Sequence, residues 1–482
     1  MTEQTFDAAV GHVRAEARAA CGSGRVPGLL AGIYHRGERS VVAEGVANVA
    51  TGAPMTEDTG FLAGSITKPM TATLMHQCVE RGLVDLDERV RNYLPELAFA
   101  PPSNVERLRV RHLLCHTGGI DGDFWPDRVA GRDALRHYVH ELRRFPLLFE
   151  PGEFVSYSNG GALVAGRMLE AVTGKSYHEL LESDLFTPVG MASSCTSAER
   201  AILRRTAVGH FVDPATASLR RTDMFMLPES WSACGATPIV TIADLLAFAR
   251  THLAGGVAPT GTRVLSAEST ERMRTVAADM HSPNVAPLGL GWPLLPFGPT
   301  TVLGHSGASP GGIANLVVVP EHDLAFAAYG NSNAAMATID RLSAWVLREY
   351  LGIAQAPLVT RPAEAADLRG FAGTYRSNQF RVDVKVVDGQ LEETMAYEPL
   401  DDTQARILRG FTGGIMPFPP HRLVSVGERL FAPAGLARGA IDGLDRRTLV
   451  SFHGGASGRP AYRMLGGRMT RRIASEPERP VP

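Results

Sequence analysis

Strand-like segments occur at both ends of residues 1–356 of this chain, and helical patterns fill the region between them. A pattern of this kind favours one sheet that is built from both ends of the unit. The strand patterns are at 29–35, 39–46, 301–303, 315–319 and 324–329. A helical pattern at 335–351 closes the unit. We therefore predict an α/β (α+β) fold in which an antiparallel sheet is flanked by helices and carries an inserted helical lobe.

Two segments of the middle region have apolar residues at helical spacing. The first is 67–81, which Gly82 follows as a candidate C-terminal cap. The second is 162–172, and it ends shortly before Gly174. We predict that both segments are helices of the lobe.

The C-terminal part of the chain has a different pattern. Residues 357–369 are rich in Pro and Ala and read as a linker. Within 370–470, short strand patterns alternate with turn signals, as where three valines in 382–386 precede the turn Asp388-Gly389. We predict a small β-barrel domain at 370–470. We expect 471–482 to be a disordered tail.

Composition excludes several classes of function. The 482 residues include 48 basic and 50 acidic side chains, so no basic excess favours a nucleic acid or an anionic membrane as partner. The five cysteines are scattered and form no C-x-x-C pair, and no metal or organic cofactor is expected. The first residues are polar and acidic, unlike a signal peptide, and no apolar stretch is long enough for a membrane span. We expect a cytoplasmic protein.

Lysine is rare in this chain, and only Lys68, Lys175 and Lys385 are present. Lys68 follows Ser65 by three residues at the start of a predicted helix, so the two side chains share one helix face. A serine hydroxyl is a poor nucleophile at neutral pH, and a lysine amine within reach can activate it. Unpaired N–H groups at a helix start also favour a developing negative charge.

Two further motifs carry groups that suit acyl transfer. Tyr157-Ser158-Asn159 supplies a phenol that can move a proton and an amide that can hold a substrate carbonyl. In an extended segment, Tyr157 and Asn159 would point the same way. Gly304-His305-Ser306-Gly307-Ala308 follows a strand pattern, and its small residues allow a substrate to lie along the backbone.

The order and spacing of these motifs resemble those of the serine β-lactamase and penicillin-binding-protein superfamily. The resemblance covers about residues 25–350. It is to the branch that groups class C β-lactamases, D-Ala-D-Ala carboxypeptidases, family VIII esterases, D-aminopeptidases and penicillin-binding-protein-type thioesterases. Residues 111–119 are similar to the family's L-L-x-H-T-S-G segment. For the C-terminal domain the resemblance implies a lipocalin-like barrel, as in some of these enzymes.

The resemblance implies a role for each motif residue. Ser65 resembles the acylated nucleophile, and Lys68 and Tyr157 resemble the general base and acid, with the order of proton transfer left open. Asn159 resembles a ligand of the substrate amide. The backbone N–H groups of Ser65 and Ala308 resemble an oxyanion hole. Ser306 and Gly307 belong to the substrate-binding strand.

His305 departs from the family pattern, because β-lactamases usually have a lysine there that helps to bind the carboxylate of the antibiotic. A neutral imidazole is a weaker carboxylate anchor. His305 is therefore either a catalytic or substrate-binding residue or one that fills space. The departure disfavours β-lactamase activity.

We predict a serine acyl-transfer enzyme that acts through a Ser65 acyl-enzyme on a small-molecule or peptidyl ester or thioester. It would release, cyclise or transfer the acyl chain, as a penicillin-binding-protein-type thioesterase does, with a carrier protein as a candidate partner. A carboxylesterase or a D-amino-acid peptidase or amidase of the same fold is the alternative. From another class, a non-catalytic acyl-binding or sensor protein is the rival.

Two motifs have other interpretations. His112 and His116 are spaced like a metal pair, but the glutamate of an H-E-x-x-H zinc motif is missing. The segment 304–308 also matches the G-x-S-x-G elbow of α/β-hydrolases. That elbow must enter a helix, which the following Ser309-Pro310-Gly311-Gly312 disfavours.

Four other residues lie near the motifs in the sequence. Cys234 falls where the family has a cleft-lining turn, and we interpret it as a small wall residue rather than a nucleophile. Asp121, Asp123 and Trp125 follow the segment 111–119 and could border the cleft, although we favour a solvated loop.

Overall fold

The computed structural model describes residues 4–126, 129–213, 216–359, 368–414, 420–436, 440–441, 445–455 and 458–474. The helices are α1 Phe6–Gly22, α2 Thr67–Glu80, α3 Val90–Tyr93, α4 Val110–Leu114, α5 Ala134–Glu141, α6 Asn159–Thr173, α7 Tyr177–Glu179, α8 Thr187–Val189, α9 Ala198–Ala201, α10 Ile242–Leu253, α11 Ala267–Arg274, α12 Met336–Trp345 and α13 Asp402–Thr412.

The strands form a main sheet, a barrel and three short pairs. They are β1 Gly28–His35, β2 Glu38–Asn48, β3 Ala53–Pro54, β4 Phe61–Leu62, β5 His210–Val212, β6 Leu219–Arg221, β7 Ile239–Val240, β8 Leu294–Phe297, β9 Thr300–Ser309, β10 Gly312–Val319, β11 Leu324–Gly330, β12 Leu358–Val359, β13 Gly373–Arg376, β14 Phe380–Val387, β15 Gln390–Tyr397, β16 His421–Gly427, β17 Leu430–Pro433, β18 Ala440–Ile441, β19 Val450–His453, β20 Tyr462–Leu465 and β21 Arg468–Arg472.

The main sheet has seven antiparallel strands in the order β3-β2-β1-β11-β10-β9-β8. Strand β1 pairs with β11, with Leu29 opposite Gly330, so the two ends of the unit meet at its centre. Side chains alternate between the faces: Leu29 and Ile33 pack with α1 and α12, whereas Leu30 packs toward the lobe. The predicted sheet with its flanking helices and inserted lobe is confirmed.

Helix α1 is not among the elements predicted from the sequence. Its buried residues are mostly alanines, with Val13 the largest side chain among them, and a stripe of alanines gives only a weak apolar pattern. The Thr5 hydroxyl caps the helix by accepting from the Ala8 N–H at 3.3 Å. The helix is recognisable only when the sheet face that it covers is known.

The predicted helices of the lobe are confirmed. Helix α2 is buried over nearly its whole length, and Gly82 beyond its end has a φ of 67°. Helix α6 begins at Asn159 and ends at Thr173, and the next residue, Gly174, adopts the left-handed conformation that favours glycine. The helix predicted at 335–351 is α-helical only to Trp345, and the π-helical turn Val346–Tyr350 completes it.

The C-terminal domain is a closed eight-stranded barrel in the order β13-β14-β15-β16-β17-β19-β20-β21, as predicted. Helix α13 lies between β15 and β16 in the chain. Tyr462, Met464 and Met469 of the last two strands share a core with the unit formed by residues 1–356. The barrel is therefore packed onto the lobe through buried apolar surface.

One predicted boundary of the C-terminal part, the start of the tail, differs from the structure. Strand β21 continues to Arg472 because Tyr375 and Arg376 of β13 pair with Arg472 and Arg471, so the expected tail does not start at 471. Residues 475–482 of that tail lie outside the described part of the chain. Within the predicted linker, Leu358–Val359 pairs with β18, and 360–367 is not described.

Across the described ranges, no helix has the length and apolar character needed to cross a membrane.

Candidate active site

Ser65 lies in the short turn between strand β4 and helix α2. A 3-10 turn, Gly64–Ile66, runs directly into α2 at Thr67, which leaves Ser65 half-buried at the start of the helix. Lys68 Nζ lies 2.9 Å from Ser65 Oγ and also donates to the Cys234 carbonyl at 3.2 Å. The lysine side chain is only 6% exposed. The structure thus places the amine against the hydroxyl, as the spacing of the two residues predicts.

Glycines allow strand β9 to lie directly against the serine turn. A Cβ on Gly64, whose φ is 55°, would be 2.7 Å from the backbone N of Ala308. A Cβ on Gly307 would be 2.1 Å from the Ala63 carbonyl oxygen. Contacts this short exclude any larger residue unless the backbone moves. The close approach brings the Ala308 backbone beside the Ser65 turn, where an oxyanion hole requires it.

Tyr157 lies over the lysine. Lys68 Nζ is 4.7 Å from the centre of the phenol ring. The rings of His116 and His305 lie 4.7 Å and 6.2 Å from it, centre to centre. The motif residues Ser65, Lys68, Tyr157 and His305, which are far apart in the sequence, therefore meet at one place.

His305 is a neutral imidazole in this site. It is 8% exposed, and burial, together with the nearby Lys68 charge, lowers its pKa to about 3. Its Nδ1 lies 2.7 Å from the Ser306 carbonyl. Because a carbonyl only accepts, Nδ1 carries the proton and Nε2 is the free acceptor. The side chains of Ser306 and Ala308 are exposed on the same strand.

His116 is also held neutral. Burial, and then the positive charges of Lys68 and Arg468, lower its pKa well below the usual value. The ring contacts Tyr157 and accepts from the Ser158 N–H at 3.2 Å. His112 makes a different contact, with the Arg109 N–H. No group of three or more potential metal-ligating side chains occurs in the described ranges.

Asn159 is the first residue of α6, and the Ser158 hydroxyl caps that helix by accepting from the Gly161 N–H at 3.0 Å. The extended segment that the sequence predicts therefore stops at Ser158. Asn159 is 7% exposed, and its Nδ2 donates to Asp123 Oδ1 at 2.8 Å.

Asp123 and Arg468 belong to the site, and sequence reasoning missed both roles. Arg468, from barrel strand β21, makes an ion pair with Asp123. The centre of its guanidinium lies 4.8 Å from the Tyr157 ring centre. No local pattern connects these two residues, which are 345 positions apart.

The interpretation of 121–125 as a solvated loop is wrong, because the barrel covers it. Asp123 and Trp125 are 8% and 1% exposed. The Trp125 ring stacks on Trp231 with centres 4.8 Å apart, and its backbone N–H donates to Gln404 of α13 at 2.7 Å. The alternative that these residues border the cleft fits the structure.

The interpretation of Cys234 as a wall residue also fits. Burial raises the pKa of its thiol to about 12, so the reactive thiolate is disfavoured.

Residues Ser309 and Gly312 pair in the tight turn between β9 and β10. No helix follows the segment 304–308, which excludes the α/β-hydrolase elbow.

Comparisons with known proteins show which family the chain is similar to. The sequence profile of the family described as Beta-lactamase matches residues 3–347. Penicillin-binding protein 4 of Amycolatopsis lactamdurans is 36% identical over 355 residues, which are 73% of this chain and 93% of that protein.

Three solved structures, of two proteins, are similar to this chain over nearly their whole length. The crystal structure of SurE has a TM-score of 0.77 and 27% identity, and the match covers 97% of this chain and all of that one. A second SurE structure, with a TM-score of 0.74, contains D-Leu. The D-amino acid amidase of Ochrobactrum anthropi SV3 in complex with D-phenylalanine has a TM-score of 0.58 and 25% identity, covering 70% of this chain and 98% of the amidase.

Proposed function

This chain belongs to the beta-lactamase family of serine enzymes, and from that premise we propose that it transfers acyl groups through an ester on Ser65. The observation that carries the proposal is the 2.9 Å contact between Lys68 Nζ and Ser65 Oγ, with the Tyr157 ring 4.7 Å from the same amine. A hydroxyl held in this way can lose its proton as it attacks a carbonyl.

In the first half of the reaction, Ser65 Oγ bonds to the carbonyl carbon of an ester or thioester. The Lys68–Tyr157 pair takes the hydroxyl proton, and the backbone N–H groups of Ser65 and Ala308 donate to the oxyanion. When the carbon–oxygen or carbon–sulfur bond breaks, the leaving alcohol or thiol receives that proton. The product of this half is an acyl ester on Ser65.

In the second half, an amine or a water molecule attacks the same carbonyl. The acceptor gives its proton to the Lys68–Tyr157 pair as the new bond forms, and Ser65 Oγ recovers that proton as the ester breaks. An amine acceptor gives an amide, or a macrocycle when the amine belongs to the acyl chain. Water gives the free acid.

His305 favours substrates without a β-lactam carboxylate. Its imidazole is neutral at physiological pH because burial and the Lys68 charge lower its pKa to about 3. A neutral ring gives little attraction to a carboxylate. This argument supports esters and thioesters as substrates rather than β-lactams.

We further propose that the acyl chain is peptidyl, carries a D-amino acid and arrives as a thioester, with a carrier protein as its donor. Two similar proteins support the D configuration: one SurE structure contains D-Leu, and the Ochrobactrum enzyme is a D-amino acid amidase. A D-amino-acid amidase is the second candidate on the same observation. The barrel supports transfer over hydrolysis because its Gly467 and Arg468 contact Tyr157, and a domain that borders the site can exclude water from the acyl-enzyme.

Labelling with a fluorophosphonate, followed by intact-mass spectrometry and peptide mapping, tests the nucleophile. We expect one adduct, on Ser65, and none in Ser65→Ala. The chain offers a matched control in Ser183, whose hydroxyl lies 3.2 Å from the exposed Lys175 amine. If Ser65→Ala is still labelled, or if Ser183 reacts equally well, the proposed nucleophile is wrong.

Product analysis tests the acceptor. Full-length protein is offered a peptidyl thioester that contains a D-residue, with and without an added amine. We expect amide or macrocycle as the main product. If free acid is the only product with every amine and thioester offered, the protein is a hydrolase and not a transferase.

A further inference from the structure

A chain of three residues links the barrel to the candidate ligand of the substrate amide. Asn159 Nδ2 donates to Asp123 Oδ1 at 2.8 Å, and the other oxygen of the same carboxylate pairs with Arg468. The Asp123 side chain is 11% exposed and that of Arg468 is 37% exposed. One buried carboxylate thus connects helix α6 of the lobe to strand β21 of the barrel.

Asp123 determines which way the Asn159 amide faces. A carboxylate only accepts hydrogen bonds, so Nδ2 and not Oδ1 must face it. A rotated amide would place two oxygens against each other. The contact with Asp123 uses one N–H of Nδ2 and leaves the second N–H with a defined direction. That N–H is the group that can donate to a carbonyl of the substrate.

Arg468 in turn holds Asp123. A buried carboxylate needs a charged or hydrogen-bonding partner, and the neighbouring Asp121 carboxylate makes this need larger. The residues on both sides of Arg468 form hydrogen bonds with Ser156 and Tyr157, which precede Asn159 in the chain. The Gly467 carbonyl accepts from the Tyr157 N–H at 2.8 Å, and the Met469 N–H donates to Ser156 Oγ at 3.0 Å.

We propose that Arg468 is a positioning residue which, through Asp123, orients Asn159 toward the substrate amide, so that the amide subsite is complete only when the barrel is docked. The inference rests on the proposed function. It predicts that the barrel contributes more to the reaction of substrates that present an amide than to the reaction of those that do not.

The test compares two ester substrates of the full-length protein. One is a peptidyl p-nitrophenyl ester, and the other is p-nitrophenyl acetate, which has no amide for Asn159. In Asp123→Asn and Arg468→Ala we expect kcat/KM for the peptidyl ester to fall about tenfold or more. The value for the acetate should fall much less, because that substrate has no amide for Asn159 to bind. The ratio of the two kcat/KM values therefore measures the positioning effect separately from any effect of Arg468 on the neighbouring Tyr157 ring.

A double-mutant comparison separates positioning from general damage. Since Asp123 is proposed to act through Asn159, Asp123→Asn combined with Asn159→Ala should be no worse than Asn159→Ala alone. Arg468→Lys keeps the charge and should recover part of the peptidyl activity. Arg471→Ala is the matched control, because Arg471 lies on the same strand and bonds the Leu147 and Leu148 carbonyls instead.

The outcomes are distinguishable. If Ser65 of the unmodified protein is not labelled by the fluorophosphonate, the proposed function itself is wrong. With labelling intact, equal losses on both substrates, an equal effect of Arg471→Ala, or multiplicative losses in the double mutant would overturn the positioning role. If Arg468→Ala does not fold by circular dichroism, the Asp123 and Asn159 variants decide the question.

Discussion

The backbone N–H of Tyr157 donates to the carbonyl of Gly467 at 2.8 Å. A residue of the proposed proton relay is thus bonded directly to the turn between the last two strands of the barrel. The N-terminal side of Tyr157 is held as well, because the Ser156 N–H donates to the His116 carbonyl at 2.9 Å. The position of the phenol depends on contacts from both domains.

Lys68 and Tyr157 should behave as one catalytic unit. We expect Lys68→Ala and Tyr157→Phe each to lower kcat on the order of 10³-fold or more, and the double variant to be hardly worse. The physical reason is that the loss of either group interrupts the same proton transfer. Steady-state kinetics on a small ester measures the effect, and fully multiplicative losses would show that the two groups act in separate steps.

β-Lactams should be poor substrates. The neutral His305 provides no charge for the carboxylate of the antibiotic, and a charge-assisted contact of this kind is among the stronger hydrogen bonds. Nitrocefin should therefore turn over much more slowly than p-nitrophenyl esters. A nitrocefin rate within about tenfold of the ester rate would contradict the argument.

The close approach of strand β9 predicts the effect of a single methyl group. In Gly307→Ala the new Cβ would be 2.1 Å from the Ala63 carbonyl oxygen, so β9 must move away from the serine turn. We expect kcat to fall on the order of 10²-fold because the oxyanion donor moves too. Gly304→Ala is the control, since its Cβ would meet the end of the Leu295 side chain at 3.2 Å and backbone only at 3.9 Å, at the Leu316 carbonyl oxygen. Equal effects of the two variants would argue against an oxyanion role for this strand.

Asp121 should make stability depend on pH. Burial and the Asp123 carboxylate raise its pKa to about 7, above the unfolded value. The folded state therefore favours the protonated acid, and this contribution is complete below about pH 4 and is lost as pH rises through 7. Asp121→Asn keeps an acceptor for the Asn378 N–H, which lies 2.7 Å from the carboxylate, but cannot ionise.

Thermal melts of both proteins between pH 4.5 and 8 measure this effect. The Tm of Asp121→Asn relative to the wild type should rise with pH. A difference that stays constant over this range would show that Asp121 ionises normally. Comparing the two proteins cancels the histidines, whose lowered pKa values act with the opposite sign at low pH.

The residues that the sequence predicts correctly are connected by local geometry. Ser65 and Lys68 are three positions apart on one helix, and the 2.9 Å contact follows from that spacing. The strands of the main sheet and of the barrel are predicted from the alternation of apolar and polar residues and from the turn residues between the strands. In each case the information lies within a few residues of the element.

Asp123 and Arg468 could not be predicted in this way. Their ion pair depends on how the two domains pack against each other. The two residues are 345 positions apart, so no local sequence pattern predicts their contact. The burial of Trp125 depends on Gln404 for the same reason. A short polar segment with aspartates is typical of an exposed loop until the domain that covers it is known.

The pairing of β1 with β11 has a consequence for synthesis on the ribosome. The first hairpin ends at Asn48, whereas its central partner begins at Leu324. At 5–20 residues per second, roughly 15–60 s pass before that partner is made. During this interval the edge of β1 that β11 will occupy is unpaired, which exposes the nascent chain to wrong strand pairing. Slowing translation between these strands, or depleting chaperones, should therefore lower the yield of folded protein before it changes any property of the finished enzyme.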